Sequence, residues 1–168
     1  MNDDMHPRIQ ALIGLFNLQP HPEGGYYSEE YRSEEQVASY VDSEKRASVS
    51  HIYFLLARGQ VSRWHKVLHD EIWNVYEGDP LRILTLSTKD NSNRLADDII
   101  GKQNTQGRED YFKVITGGDY QAAESTGAYT FVGCSVAPGF EFRDFSYIED
   151  EATRAIVKDY KKDYQKFL

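Results

Sequence analysis

Within the stretch Gly59-Gln-Val-Ser-Arg-Trp-His65-Lys-Val67-Leu-His69-Asp-Glu71-Ile-Trp73-Asn-Val-Tyr-Glu-Gly78, two side chains are of the kind that moves protons. The imidazole of His65 titrates near neutral pH, and a carboxylate such as Glu71 beside it raises its basicity. Strand alternation puts His65 and Val67 on one face, and Glu71, Trp73 and Val75 on one face of a following strand. Closing the two strands as a hairpin would bring these groups together, with His65 as base and Glu71 orienting it. A tyrosine could act as the acid, and Tyr53, Tyr120 and Tyr129 are the candidates. A bland alternative is that His65 is only a hydrogen-bonded structural residue.

Four further residues are expected to touch a ligand. Trp73 shares parity with Glu71 and would form a pocket wall, whereas Trp64 shares parity with Ser62 and faces away from His65. The amide of Gln121 offers both a donor and an acceptor. Ser62 is added as a contact from the same strand, and Glu23 reaches a partner or the pocket rim from the turn Glu23-Gly24-Gly25. That turn has neither the lysine nor the following helix of a nucleotide loop. Cys134, in the apolar run Thr130 to Val136, reads as an inert buried thiol, and His21, His51 and His69 as surface or turn residues.

The elements that must hold these residues are mostly strands. Short apolar or alternating runs recur at Tyr26–Tyr31, Val37–Val41, Val49–Ala57, Arg63–Val67, Glu71–Tyr76, Leu81–Ser87, Asp98–Ile100, Tyr111–Ile115, Tyr120–Ala123, Thr130–Val136 and Glu141–Phe145. Turn residues fill the gaps, among them Arg58-Gly59, Gly78-Asp-Pro80, Gly107 and Thr116-Gly-Gly118. Helical spacing is confined to the ends. Pro7, Ile9, Leu12, Ile13 and Phe16 predict a first helix that Pro20 and Pro22 terminate. Asp150 to Leu168, with Ile156, Tyr160, Tyr164 and Phe167 along one side, predicts a last one. The reading is one all-β domain, a sandwich or barrel over residues 1–168 with terminal helices.

Composition narrows the function classes. The 168 residues include twelve Tyr and eight Phe, which suits pleated, half-buried surfaces. Nineteen basic residues against 27 acidic ones give a net charge of −8, and no basic run is present, so a nucleic-acid partner is not expected. No apolar stretch approaches the ~20 residues of a membrane helix. The acidic start Met1-Asn-Asp-Asp-Met-His-Pro is unlike a signal peptide, so a cytoplasmic setting is expected. A single cysteine allows neither an internal disulfide nor a zinc knuckle.

The spacing of Gly59, His65, Glu71 and Gly78 resembles the first motif of the cupin superfamily. Longer segments resemble one of its uncharacterised families, the domain of unknown function numbered five among the cupins. These are Leu18-Gln-Pro-His-Pro-Glu-Gly-Gly-Tyr-Tyr-Ser-Glu-Glu-Tyr-Arg-Ser33, Ser62-Arg-Trp-His65-Lys-Val67, Asp70-Glu-Ile-Trp73, Tyr76-Glu-Gly-Asp-Pro-Leu81 and Val132-Gly-Cys-Ser-Val-Ala-Pro-Gly-Phe-Glu-Phe142. The resemblance covers about Leu18 to Phe145. It implies a double-stranded β-helix barrel, usually dimeric, with a pocket and no settled reaction.

It also implies where metal ligands would stand, and two of the four are missing. Val67 replaces the second histidine and Gln121 the third, leaving His65 and Glu71, so no metal and no cofactor is expected. His69 could substitute only if the turn between Val67 and Asp70 let it point inward. The expected function is binding of a small polar or carbohydrate-like molecule, with metal-free isomerase or epimerase chemistry at His65 and Glu71. A non-catalytic binding or interaction module is the alternative, and a metal-dependent oxygenase a more distant one. Exposed sheet edges add the expectation of a homodimer.

Overall fold

The computed structural model describes residues 6–103 and 109–168. The acidic N-terminal residues 1–5 and the turn expected at Gly107 lie outside them. Helix α1 (Pro7–Phe16) begins with proline where a missing N–H costs nothing, and His6 accepts from the Arg8 amide. It ends at Asn17, which adopts a left-handed conformation (φ 49°) and donates its amide to the Ile13 carbonyl. The stop is therefore this left-handed cap, ahead of the prolines that the sequence suggested.

Among the described residues thirteen strands follow: β1 (Gln19–Pro20), β2 (Tyr26–Arg32), β3 (Gln36–Ala38), β4 (Lys45–Ala47), β5 (Ser50–Ala57), β6 (Val61–Val67), β7 (Asp70–Gly78), β8 (Leu81–Ser87), β9 (Arg94–Ile100), β10 (Phe112–Ile115), β11 (Tyr120–Ser125), β12 (Tyr129–Ala137) and β13 (Phe145–Tyr147). They form a six-stranded sheet in the order β1-β2-β5-β12-β7-β10 and a five-stranded sheet in the order β13-β6-β11-β8-β9. A two-stranded ribbon, β3-β4, stands apart. The architecture is mostly β, two jelly-roll sheets rather than one closed barrel.

The strands β6 and β7, expected to pair as a hairpin, belong to different sheets. The turn at Leu68-His69 carries the chain from one sheet to the other, so the His65 and Glu71 strands belong to opposing sheets. Gly117 locks this corner: its amide donates to Asp70 Oδ1 at 2.8 Å, and a Cβ there would overlap the Leu68 carbonyl. The Gly118 amide donates to the Val67 carbonyl at 2.8 Å.

A second departure from strict alternation lies in β6. Its register on β11 runs Gln121 opposite His65 and Ala123 opposite Ser62, so Arg63 and Trp64 together face the single residue Ala122. This bulge reverses parity between Ser62 and His65. Ser62 and His65 therefore share parity, while Trp64 packs with Val157, Tyr164 and Phe167 of the C-terminal segment.

Between the sheets, Phe54, Leu56, Trp73, Leu81, Ile83, Val132 and neighbouring side chains fill one end with an apolar core. Helix α1 covers part of the outer face of the larger sheet, through Ile9 and Leu12 against Leu55, Tyr129 and Phe131. The C-terminus covers the outer face of the smaller one. It is not a single helix: α2 (Glu151–Tyr160) is capped by Asp150 on the Thr153 amide, Lys161 is extended, and Lys162–Phe167 is a 3-10 turn. The three-residue repeat of that turn buries Tyr164 and Phe167 together. The strand expected over Glu141–Phe145 is likewise a 3-10 turn, Phe142–Asp144, leading into β13. Asp144 is held there by Arg46, whose Nε and Nη2 donate at 2.8 Å each.

Candidate active site

The other end of the sheet interior is open. A cavity of about 310 Å3 lies there, at the small end of ligand-pocket sizes, with His65, Glu71, Glu23 and Cys134 on its polar side. Apolar side chains from both sheets, Ile52, Val67 and Val136, line it, and Phe140, Phe142, Phe145 and Tyr27 add aromatic walls.

His65 is the best-fixed of these groups. Its Nδ1 lies 2.7 Å from the Arg63 carbonyl oxygen and 2.9 Å from Glu23 Oε2. Both neighbours are acceptors, so the hydrogen-bond network assigns the ring hydrogen to Nδ1 and leaves Nε2 for the cavity. Phe145 stacks on the ring, with centroids 5.1 Å apart. Burial disfavours the imidazolium, but the Glu23 carboxylate, bonded to it and charged, outweighs that and holds the pKa above its ordinary value. Reciprocally, burial pushes the Glu23 carboxyl up while the His65 charge and hydrogen bond pull it further down, for a net lowering.

Of the two places the sequence allows Glu23, a partner or the pocket rim, it takes the first: it is buried and orients His65. The two glycines after it make this possible. Gly24 has φ +111°, and a Cβ there would overlap the Val61 carbonyl oxygen, so the turn lies directly on β6. The Glu23 carbonyl accepts from the Arg63 amide at 3.1 Å, which registers the turn beside His65.

Glu71 plays a different part from the one expected of it. Its Oε2 accepts from Gln121 Nε2 at 2.5 Å, and Gln121 Oε1 accepts from Trp73 Nε1 at 2.8 Å. Trp73 thus fixes which end of the amide faces Glu71. Burial raises the Glu71 pKa to about 7, against the pull of His65 and with a further push from Glu23. The Cys134 thiol sits against Glu71 and is itself held well above its usual range by burial, which keeps it un-ionised.

Of the expected ligand contacts, Glu23 lines the cavity; Trp73, Gln121 and Ser62 do not. Trp73 and Gln121 are buried behind Glu71, and Ser62 is buried beside Glu23, whose lowered pKa it supports. Tyr53, Tyr120 and Tyr129 are also absent from the wall, where the phenol present is Tyr27. His21, read as a turn residue, lines the cavity as well; burial lowers its pKa. His69 is buried but bonds Ser39 Oγ at 2.8 Å, under the β3-β4 ribbon and away from His65. His21 and Tyr27 could have been suspected from the Glu-Gly-Gly turn they flank; the Phe140–Phe145 wall left no comparable signal.

The sequence profile of a cupin superfamily family, DUF985, matches residues 10–148. The chain belongs to that cupin family. This cupin is similar to a hypothetical protein from Leishmania major (27% identity, 94% of this chain and 95% of that one, TM-score 0.78). It is also similar to a protein of Shewanella oneidensis (31% identity, the same coverages, TM-score 0.79). Oxalate oxidase in complex with glycolate shares the fold alone, at 16% identity over 83% of this chain and 66% of that one, with a TM-score of 0.53. No curated protein matches the chain.

The donor set here does not fit the metal site that the resemblance to the cupin motif implies. Among the described residues no group of three or more His, Cys, Asp or Glu side chains is placed to hold an ion. Gln121 is committed to Glu71 and Trp73 and Val67 has no donor, so of the four implied ligand positions only His65 Nε2 and Glu71 remain, short of the three good donors of a usual catalytic site. No helix among the described residues is long and apolar enough to cross a membrane.

Proposed function

We propose that this cupin binds a small polar molecule, carbohydrate-like in its hydroxyl and carbonyl groups, and moves a proton beside the carbonyl as an isomerase or epimerase does. The observation that carries this is the pairing of two differently tuned groups on one cavity. His65 is held by Glu23 with Nε2 free, and Glu71 has a pKa of about 7. A base whose imidazolium is supported by Glu23 and an acid with a pKa of about 7, facing one cavity, suit general acid–base catalysis. In the step, His65 Nε2 takes the proton from the carbon next to the carbonyl while protonated Glu71 gives its proton to the carbonyl oxygen. The resulting enediol becomes the isomeric carbonyl compound when His65 returns the proton to the former carbonyl carbon while the Glu71 carboxylate takes the proton of the neighbouring hydroxyl. Glu23 is a positioning residue that stabilises the imidazolium.

The test is proton exchange in D2O across a panel of small hydroxy-ketones and hydroxy-aldehydes, followed by NMR. Exchange at the carbon beside the carbonyl, lost in His65→Ala, supports the proposal. Ligand-induced thermal stabilisation with no exchange supports a binding module instead. A cytoplasmic setting is compatible with the one buried, unpaired thiol, Cys134.

We also propose a homodimer through the outer face of the larger sheet. Val114, Ile72, Ser135, His51 and Tyr31 are aligned across five strands, and Phe112 and Tyr76 adjoin them. Tyr31, Ile72, Tyr76, Phe112 and Val114 are exposed, and the row carries no carboxylate or lysine on a chain of charge −8. Light scattering at twice 19.4 kDa, reduced to one copy by Phe112→Lys with Val114→Lys, supports this; a monomer at all concentrations refutes it.

A further inference from the structure

We propose that the molecule this cavity accepts is a small organic cation, an ammonium group on a polar body, and that phosphorylated and carboxylate ligands are excluded. The inference deepens the acid–base reading and rests on it. Its first support is charge. Four carboxyl groups line the cavity, Glu23, Glu29, Glu71 and Glu141; among the described residues His65 partners Glu23, Arg32 partners Glu29 and Arg143 partners Glu141, so Glu71 is the one left without a bonded cation. Arg32 is spent on its neighbours: Nε and Nη2 donate to Glu29 at 3.0 and 2.7 Å, and Nη2 also to the Phe140 carbonyl at 2.9 Å. Glu23 is matched by His65. Glu71 has no cation bonded to it, only the Gln121 amide and the Cys134 thiol. His21 adds no positive charge at neutral pH, because burial lowers its pKa.

The second support is the aromatic wall. Phe140 and Phe142 stand nearly perpendicular, with centroids 5.1 Å apart at 80°, and Phe145 stands perpendicular to Phe140 at 6.4 Å. Phe142 is 55% exposed, a large ring left uncovered beside the carboxyl group of Glu141 on the same wall. The uncovered Phe142 ring carries negative potential on its face, and an ammonium seated over it gains from that face. A phosphate or carboxylate would meet ring faces and carboxylates instead. The −8 net charge of the chain acts in the same direction at longer range.

Three molecules of nearly one shape isolate the charge: choline, 3,3-dimethylbutan-1-ol and 3,3-dimethylbutanoate. Their affinities for the full chain, by calorimetry at about pH 8 where Glu71 is ionised, give the test. Choline is expected to bind roughly tenfold or more tightly than the alcohol, and the butanoate not at all. Phe142→Leu, at an exposed site, is expected to erase most of choline's advantage and leave the alcohol unchanged. Equal binding of choline and the alcohol, preference for the butanoate, or no binding by any of the three overturns the proposal. The acid–base reading is judged separately by proton exchange with the uncharged hydroxy-carbonyl panel, which persists or disappears regardless of this ranking.

Discussion

Replacing Glu71 by glutamine should stabilise the protein, and only on the alkaline side. A carboxyl whose folded pKa lies at about 7 instead of its ordinary 4.5 binds its proton more tightly folded than unfolded. Between those two values the native state carries more protons, so stability falls as pH rises through the window. At 1.36 kcal/mol per pH unit, the distance from 4.5 to about 7 amounts to about 3 kcal/mol, fully developed by pH 8. Glutamine has the shape of the protonated acid, and its side-chain oxygen can accept from Gln121 as Glu71 Oε2 does. Removing the Glu71 charge also takes some support from the His65 imidazolium, which trims the gain to about 2 kcal/mol. Urea unfolding of both chains at pH 5, 6, 7 and 8 is the assay. The two curves should meet near pH 5, with Glu71→Gln ahead by about 2 kcal/mol at pH 8. A difference that does not change with pH, or a native chain that gains on the variant as pH rises, would refute the account of a carboxyl destabilised by burial.

Two structural perturbations test the framework of the site. Arg46, only 1% exposed, ties the β3-β4 ribbon to Asp144 beside the Phe140–Phe142 wall, so Arg46→Met should cost about 3 kcal/mol by leaving Asp144 buried without its partner. Urea denaturation measures it, and a loss below about 1 kcal/mol, the size of a surface pair, counts against the tie. Gly24→Ala forces a Cβ into the Val61 carbonyl at a φ of +111°, and should cost about 1–3 kcal/mol and lower the His65 pKa by displacing Glu23. Thermal melting and an NMR pH titration read the two effects; an unchanged His65 titration contradicts the assigned role of the turn.

What the sequence made legible were the residues under short-range rules. Gly59, His65, Glu71 and Gly78 marked the motif, and the two-residue period correctly put His65 with Val67 and Glu71 with Trp73. What it hid were the places where one residue changes the geometry. The bulge at Arg63-Trp64 turned Ser62 to the side of His65, which no parity rule anticipates. The two-residue turn at Leu68-His69 looked like a hairpin, but it carries the chain between sheets, since β6 and β7 each find other partners. Glu23 lies far from His65 in sequence, and the close approach of Gly24 to Val61, with the Arg63 amide on the Glu23 carbonyl, joins them. Lys161 broke the last helix because Tyr164 and Phe167 bury better at three-residue spacing, a decision taken by packing rather than propensity.

The most direct test of the acid–base assignment is the imidazole of His65 itself, followed by nitrogen-15 NMR between pH 5 and 9 in the native chain and in Glu23→Gln. With the ring hydrogen on Nδ1, the neutral form should show Nε2 as the unprotonated nitrogen. The titration midpoint should lie above the ordinary 6.5 and fall below it in Glu23→Gln, where burial acts without the compensating carboxylate. A neutral ring protonated on Nε2, or a midpoint indifferent to Glu23, would contradict the assignment of His65 as a base whose free nitrogen faces the cavity.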